Sequence, residues 1–334
     1  LLRGKGAFMN RMEMHAPKIW LTEVSQWRAQ AGKVIVDKDS LALELPERLP
    51  VISIDSFILT DMQIHVPKKY LPAGEEYYQG ASARLAGFLL NNNSLKTEPL
   101  LYSKHIELFM PKARYDVDDP LYIAEVGNVH LDVTDSTATV DTISYSPRFS
   151  EEEFTAKNNF LRGRLDFKAA DISVKRLDIM KLIAGSKISI HKCTVGSWSF
   201  DYYSDKRKAR DPHAPSALMP NDIARSFHFP VALDSLVLTD GKIRVRERAP
   251  GSDRAGVLSF DKVRMAVSPY ATDTSSEEYG EPTRIFVSAI FQGEASVSAA
   301  ISYDLQKAAL DLRIDASLGK ISAKRFNTFL VPNE

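Results

Sequence analysis

The stretch Leu233-Asp-Ser-Leu-Val-Leu-Thr-Asp-Gly-Lys-Ile-Arg-Val245 decides the fold class, because it occurs twice in the chain. Its counterpart, Ile54-Asp-Ser-Phe-Ile-Leu-Thr-Asp-Met-Gln-Ile-His-Val66, is identical at seven of thirteen positions. Apolar residues alternate with polar ones in both copies, which predicts strands with one apolar face. Asp240-Gly241 indicates a turn or bulge, and Met62 at the equivalent place indicates that glycine is not required there. The sequence therefore predicts a tandem β-repeat.

Further landmarks recur in the same order and divide the chain. Residues 19–27, 172–180 and 321–329 end alike, and 123–133 aligns with 257–267. We interpret residues 1–33 as the C-terminal tail of a truncated repeat, and 34–185 and 186–334 as two full repeats. A long insertion is expected at 67–119, and a basic, proline-containing loop at 201–228. Few short helices are expected, at the repeat junctions.

Composition narrows the classes of protein to consider. The chain has 334 residues, of which 44% are hydrophobic, so it is not wholly disordered. Forty-three basic residues balance 43 acidic ones, which argues against a nucleic-acid partner. A single cysteine, Cys193, excludes a disulfide framework and a cysteine-based structural zinc site. The chain begins Leu1-Leu2-Arg3, so we expect a piece of a longer protein whose targeting or anchoring segment is not included.

The segment from Phe229 to Val245 carries a family resemblance. It resembles the recurring strand motif of the AsmA-like proteins of Gram-negative envelopes, in which an apolar strand, a polar-Asp-Gly turn and an alternating strand precede a Leu-x-Phe-x-x-Val strand. Leu258-Ser-Phe-Asp-Lys-Val263 matches that last strand, and the tail 310–332 resembles the family's repeat end.

The resemblance implies a fold, a place and an activity. The fold would be an elongated, twisted antiparallel sheet that curls into an apolar groove, related to the bridge-like lipid transfer proteins. The protein would lie in the periplasm, tethered to the inner membrane by a segment absent from this chain. It would pass phospholipid between the inner and outer membranes and support outer-membrane biogenesis, with envelope proteins of both membranes as its partners.

The apolar strand faces supply candidate residues for such a groove. A lipid acyl chain has no hydrogen-bonding groups, so a carrier needs a continuous strip of apolar side chains. The same alternation is equally expected of a closed core between two sheets, and the sequence leaves both interpretations open. The candidates for the groove lining are Ile64, Val66, Leu131, Val133, Ile243, Val245, Val263, Met265 and Val267.

Signatures of chemistry are weak. No nucleotide-binding, hydrolase or metalloprotease motif occurs, so no enzymatic activity and no cofactor are expected. The seven histidines show no pair at metal-ligand spacing, and no metal site is predicted. Two alternatives to lipid transfer remain: a structural or adhesive β-repeat scaffold for envelope assembly without lipid cargo, and, less favoured, a polysaccharide-active β protein.

Overall fold

The chain folds mainly into β-structure. A computed structural model describes residues 7–20, 51–65, 74–91, 102–183, 187–213, 230–272, 281–304 and 311–333. Strands account for 64% of the structure and helices for 10%, and the described strands pair in both parallel and antiparallel fashion. The prediction of a mainly β chain with few short helices is therefore confirmed.

Seventeen strands lie in the described ranges. They are β1 (Ala7–His15), β2 (Lys18–Trp20), β3 (Ile52–His65), β4 (Tyr78–Leu90), β5 (His105–Met110), β6 (Ala113–Asp116), β7 (Tyr122–Val126), β8 (Val129–Asp132), β9 (Thr137–Pro147), β10 (Arg164–Leu177), β11 (Ile188–Asp205), β12 (Val231–Arg248), β13 (Gly256–Ser268), β14 (Tyr270–Ala271), β15 (Thr283–Phe291), β16 (Ala295–Tyr303) and β17 (Leu312–Leu318).

The helices of the described part are short. They are α1 (Glu151–Lys157), α2 (Ile179–Ile183) and α3 (Asn327–Leu330), with 3-10 turns at Ala323–Phe326 and Val331–Asn333. Helix α1 begins with a capping box, because Ser150 accepts the Glu153 backbone N–H and Glu153 bonds back to Ser150. None of the helices in the described ranges is long and apolar enough to cross a membrane.

The chain divides into two compact units. Unit 1 comprises 1–113, 128–139 and 176–187, and unit 2 comprises 114–127, 140–175 and 188–334. In unit 1, β1 and β2 run parallel to β3, and β3, β4, β5 and β8 continue as an antiparallel ladder. In unit 2, β11 runs parallel to β12, and β12, β13, β15, β16 and β17 continue antiparallel.

The two duplicated stretches occupy equivalent strands and share one irregularity. The register of β3 against β4 shifts between Leu59 and Met62, and that of β12 against β13 shifts between Leu238 and Gly241. The aspartate inside each shift has a left-handed backbone, with φ 52° at Asp61 and 44° at Asp240. Aspartate is among the few residues that tolerate this conformation, so the repeated Thr-Asp accounts for a β-bulge in both copies.

Several finer expectations differ from the structure. The sheet is mixed rather than purely antiparallel, because each duplicated strand has a parallel neighbour. Strand β4 pairs antiparallel with β3, in the same way as β13 pairs with β12. The counterpart of Gly256–Ser268 in the first copy is therefore 78–90, and not 123–133 as the sequence alignment predicts. The predicted insertion 67–119 thus contains ladder strands β4 and β5, and the predicted loop 201–228 begins within strand β11. The repeat boundaries stay a prediction.

Candidate functional site

A continuous apolar face runs across the ladder of unit 2. Strand alternation places every second side chain on this face, and a buried cluster forms at its centre. Ala169, Val195, Trp198, Val263 and Ala289 belong to that cluster, each with at most 7% of its surface exposed. Partly buried hydrophobic residues from β9 to β16 pack against it. The apolar face therefore has a buried centre that is surrounded by partly buried hydrophobic residues.

A row of five apolar residues crosses this face in register. Leu238 pairs with Met265, Met265 with Val287, Val287 with Ala299, and Ala299 with Ala316. Directly paired residues in an antiparallel ladder point to the same side, so the five share one face. They line a cavity of about 780 Å³ together with their immediate neighbours along each strand. Ligand sites for small molecules span roughly 300–1,000 Å³, so this volume suits an apolar ligand.

The same face becomes more exposed at strand β17. Leu312, Ile314 and Leu318 are paired with Tyr303, Ile301 and Val297 and continue the apolar face. Their exposed fractions are 43%, 56% and 52%, large values for aliphatic side chains. No described residue therefore seals the face along β17. A fully closed core would bury these side chains.

The predicted groove residues of unit 2 divide between core and cavity. Val263 is fully buried and is a packed core residue, and Val267 is also buried. Met265 lines the cavity, and its role in a lipid groove stays a prediction. Ile243 is half-buried and packs against the central cluster, and Val245 is half-buried opposite Leu258.

The predicted groove residues of unit 1 belong to a second apolar cluster. Ile64 and Val133 pack against a core formed by Met62, Ala81, Ala83, Leu85 and Ile106. Leu131 is half-buried and pairs with Leu108 across β5 and β8. Val66 lies outside the described residues. Ile64, Leu131 and Val133 thus lie on or beside the core of unit 1 rather than at the unit 2 cavity.

Trp198 lies at the centre of the apolar face, and the repeat pattern did not predict this position for it. Its indole ring covers Gly241, where an added β-carbon would overlap the ring. The backbone φ of Gly241 is not positive, so glycine is not needed here for a left-handed conformation. It is needed because any side chain would overlap the indole ring of Trp198. The pairing of Trp198 with Gly241 across two parallel strands is not visible in sequence spacing.

Cys193 behaves as a packing residue. Its side chain is half-buried against the central cluster of unit 2, and burial raises the pKa of its thiol. A raised pKa keeps the thiol protonated and unreactive at neutral pH.

The described part of the basic loop is held by ion pairs. Arg207 donates hydrogen bonds to both carboxylate oxygens of Asp205, at 2.8 and 2.6 Å. These bonds hold the pKa of the buried Asp205 carboxyl below its usual value. Lys206 pairs with Glu247 of the adjacent strand. The two basic residues therefore neutralise acidic neighbours.

Two aspartates, one at the end of β6 and one between β6 and β7, also make separate ion pairs. Asp116 pairs with Arg148, and Asp119 pairs with Arg162. Carboxylates that ligate calcium converge on one point, whereas these two turn to different arginines.

One group of side chains in the described ranges has donor atoms placed to hold a metal ion. It consists of His105, Glu107 and Asp132 of unit 1, whose ligand atoms all lie within 4.8 Å of one another. Sequence spacing predicted no metal site, because the aspartate is 25 residues from the glutamate. Strand pairing of Glu107 with Asp132 brings the donors together.

Known proteins add no further constraint on the site. No family model, no curated protein and no solved structure matches this chain.

Proposed function

We propose that this chain is a non-enzymatic lipid-binding β protein that holds phospholipid acyl chains on the apolar face of unit 2. The observation that carries the proposal is the register-matched row of Leu238, Met265, Val287, Ala299 and Ala316, which lines a 780 Å³ cavity. The resemblance to AsmA-like proteins supports the same activity from the sequence side.

The dimensions of the row suit an acyl chain. Five adjacent strands span four interstrand spacings of about 4.8 Å, or about 19 Å. One leaflet of a bilayer's hydrocarbon core is about 15 Å thick, so one acyl chain fits along the row. Each methylene removed from water contributes about 0.8 kcal/mol, which gives a chain of this length enough driving force to bind.

Exposure along β17 supports an open site over a closed core. Leu312, Ile314 and Leu318 extend the apolar face to a strand whose side chains are all exposed. A lipid tail would lie on the apolar row while its headgroup stays in water. Transfer would be passive, with its direction given by partner proteins. The periplasmic setting, the tether to the inner membrane and the role in outer-membrane biogenesis rest on the family resemblance alone.

The test measures lipid bound to the purified chain. The chain is incubated with vesicles of phosphatidylethanolamine and phosphatidylglycerol that carry a labelled phospholipid, and bound lipid is quantified by extraction and native mass spectrometry. Ala299→Phe fills the cavity without adding charge, and we expect it to reduce bound lipid at least roughly tenfold, the loss that follows from about 1.4 kcal/mol of binding.

The matched control is Ser302→Phe on the same strand. Ser302 lies on the opposite face, outside the cavity lining, and pairs with Arg284 and Arg313. We expect this variant to bind lipid as the parent does. Absence of lipid on the parent, or equal binding by both variants, would contradict the proposal. Val263→Asp is unsuitable, because a charge at this fully buried position would unfold the chain whether or not lipid binds.

A structural scaffold is the second candidate function, favoured by the edge position of β17. Within the described residues, β17 is paired with β16 alone, and its side chains are exposed. An exposed strand edge with apolar side chains is suited to pair with another β chain. This candidate gains support if the parent binds no lipid but associates through β17, with a loss of association in Ile314→Pro.

A further inference from the structure

The polar face of the β5–β8 ladder in unit 1 carries two similar tripeptides on adjacent antiparallel strands. They are His105-Ile-Glu107 and His130-Leu-Asp132. Glu107 pairs directly with Asp132, and His130 pairs with Phe109. Because side chains two apart share a face, all four polar side chains project to the same side. This face is opposite to the one that packs in the core of unit 1.

The donor atoms converge without bonding to one another. His105 Nε2 lies 3.6 Å from Glu107 Oε1 and 3.7 Å from Asp132 Oδ2. His130 Nε2 lies 3.8 Å from the same Glu107 Oε1. Hydrogen bonds between such groups measure about 2.7–3.2 Å, so these contacts are too long to be direct bonds.

The spacing matches the edges of a metal coordination shell. Zinc binds histidine nitrogen and carboxylate oxygen at about 2.0–2.2 Å in tetrahedral geometry, which separates neighbouring ligand atoms by roughly 3.4 Å. The observed 3.6 and 3.7 Å need only a small contraction to reach that value. Mixed imidazole and carboxylate ligands favour zinc over the all-oxygen shells of calcium and magnesium.

Each carboxylate has one oxygen held from outside, and the other faces the cluster. Asp132 Oδ1 accepts the backbone N–H of Asp135 at 2.9 Å, which leaves Oδ2 towards His105. Arg84 of β4 lies 3.9 Å from Glu107 Oε2, which leaves Oε1 towards the two histidines. Outer contacts of this kind orient metal ligands and tune their affinity.

We propose that His105, Glu107 and Asp132 form a binding site for Zn²⁺ on unit 1, with His130 beside it as a weaker fourth donor. The exposed fractions of the three ligand side chains are 37%, 29% and 15%, so the ion enters directly from solvent. Three protein ligands leave one tetrahedral coordination position, which either His130 or a water molecule fills. The site is separate from the apolar cavity and does not depend on the proposed lipid binding.

The experiment titrates Zn²⁺ into the full chain by isothermal calorimetry. The parent carries Cys193→Ala, because a thiol is itself a zinc ligand. We expect one ion per chain. His105→Ala, Glu107→Gln and Asp132→Asn should each weaken the affinity by more than the roughly tenfold loss typical of an outer-shell partner. His130→Ala should have a smaller effect.

Two further variants make the test specific. His191 also contacts a carboxylate, with Nδ1 2.8 Å from Asp234 Oδ2, but it belongs to no described group of three donors, so His191→Ala should leave the affinity unchanged. Arg84→Ala removes the contact that orients Glu107 Oε2 and should weaken the affinity, but less than Glu107→Gln does. Circular dichroism confirms that each variant is folded. The proposal is overturned if the parent binds no zinc, or if the folded His105→Ala/Asp132→Asn double variant retains the parent's affinity.

Discussion

The two copies of the duplicated strand form the same bulge but fill the space beside it with different residues. The strand's own side chain is buried there in one copy, and a side chain of the neighbouring strand in the other. In unit 1 the bulge is followed by Met62, which is 4% exposed and packs against Ala81. On the parallel segment next to β3, the carbonyl oxygen of Pro17 accepts the backbone N–H of Gln63, the residue after Met62, at 2.9 Å. In unit 2 the bulge is followed by Gly241, and the indole ring of Trp198, on the parallel strand β11, occupies the space above this glycine.

This exchange separates what makes the bulge from what fills it. The left-handed backbone belongs to Asp61 and Asp240 in the common Thr-Asp, not to the residue after it. The next position differs between the copies: it is Met62 in unit 1 and Gly241 in unit 2, where the parallel strand carries Trp198. In unit 2 the ring of Trp198 thus fills the space that Gly241 leaves, as close packing requires.

The largest expected effect is the loss of the residue that fills each core. Trp198→Ala should lower the free energy of unfolding by about 3–5 kcal/mol, and Met62→Ala by about 2–5 kcal/mol, because each leaves a cavity. Urea denaturation followed by circular dichroism measures both. Trp198→Phe should lose less than Trp198→Ala, since the indole N–H has no hydrogen-bond partner in the described part of the chain. A Trp198→Ala variant as stable as the parent would contradict this packing role.

Adding volume at the glycine tests the same pair from the other side. Gly241→Ala should lower the free energy of unfolding by about 1–3 kcal/mol, because the new β-carbon overlaps the indole of Trp198. In a Trp198→Ala background the same substitution should be neutral or stabilising. The double-mutant cycle should therefore give a coupling of about 0.5–3 kcal/mol. Additive effects would show that Gly241 is not required for space.

The sequence predicted local features better than strand partners. Alternation in the two copies identified β3 and β12, and Asp240-Gly241 indicated a turn or bulge in the second copy. Strand β4 escaped notice because its sequence, Tyr78 to Leu90, is rich in alanine and glycine, which are depleted in strands. Alternation also carries no information on direction, so the parallel pairing of β11 with β12 could not be read from it.

The same limit applies to the candidate sites. Met265 is a groove candidate from the sequence alone, whereas its partners Val287, Ala299 and Ala316 lie on later strands that the repeat landmarks did not cover. Val263 lies on the same face of its strand as Met265, but it is buried. It belongs to the central cluster together with Trp198, whose ring covers Gly241. Pattern alone places a side chain on a face, while only tertiary packing decides whether that part of the face is covered.

The smallest expected effect concerns the aspartates of the bulge. Alanine disfavours the left-handed conformation that Asp61 and Asp240 adopt, whereas glycine accepts it freely. Asp61→Ala and Asp240→Ala should each lower the free energy of unfolding by about 1 kcal/mol, while the glycine variants should match the parent or exceed it slightly. Thermal unfolding of the four variants measures this difference. The residue after the aspartate differs between the units, Met62 in one and Gly241 in the other. A similar loss of stability in both units would therefore show that the shared Thr-Asp acts through its backbone conformation. A loss in one unit alone would contradict that account.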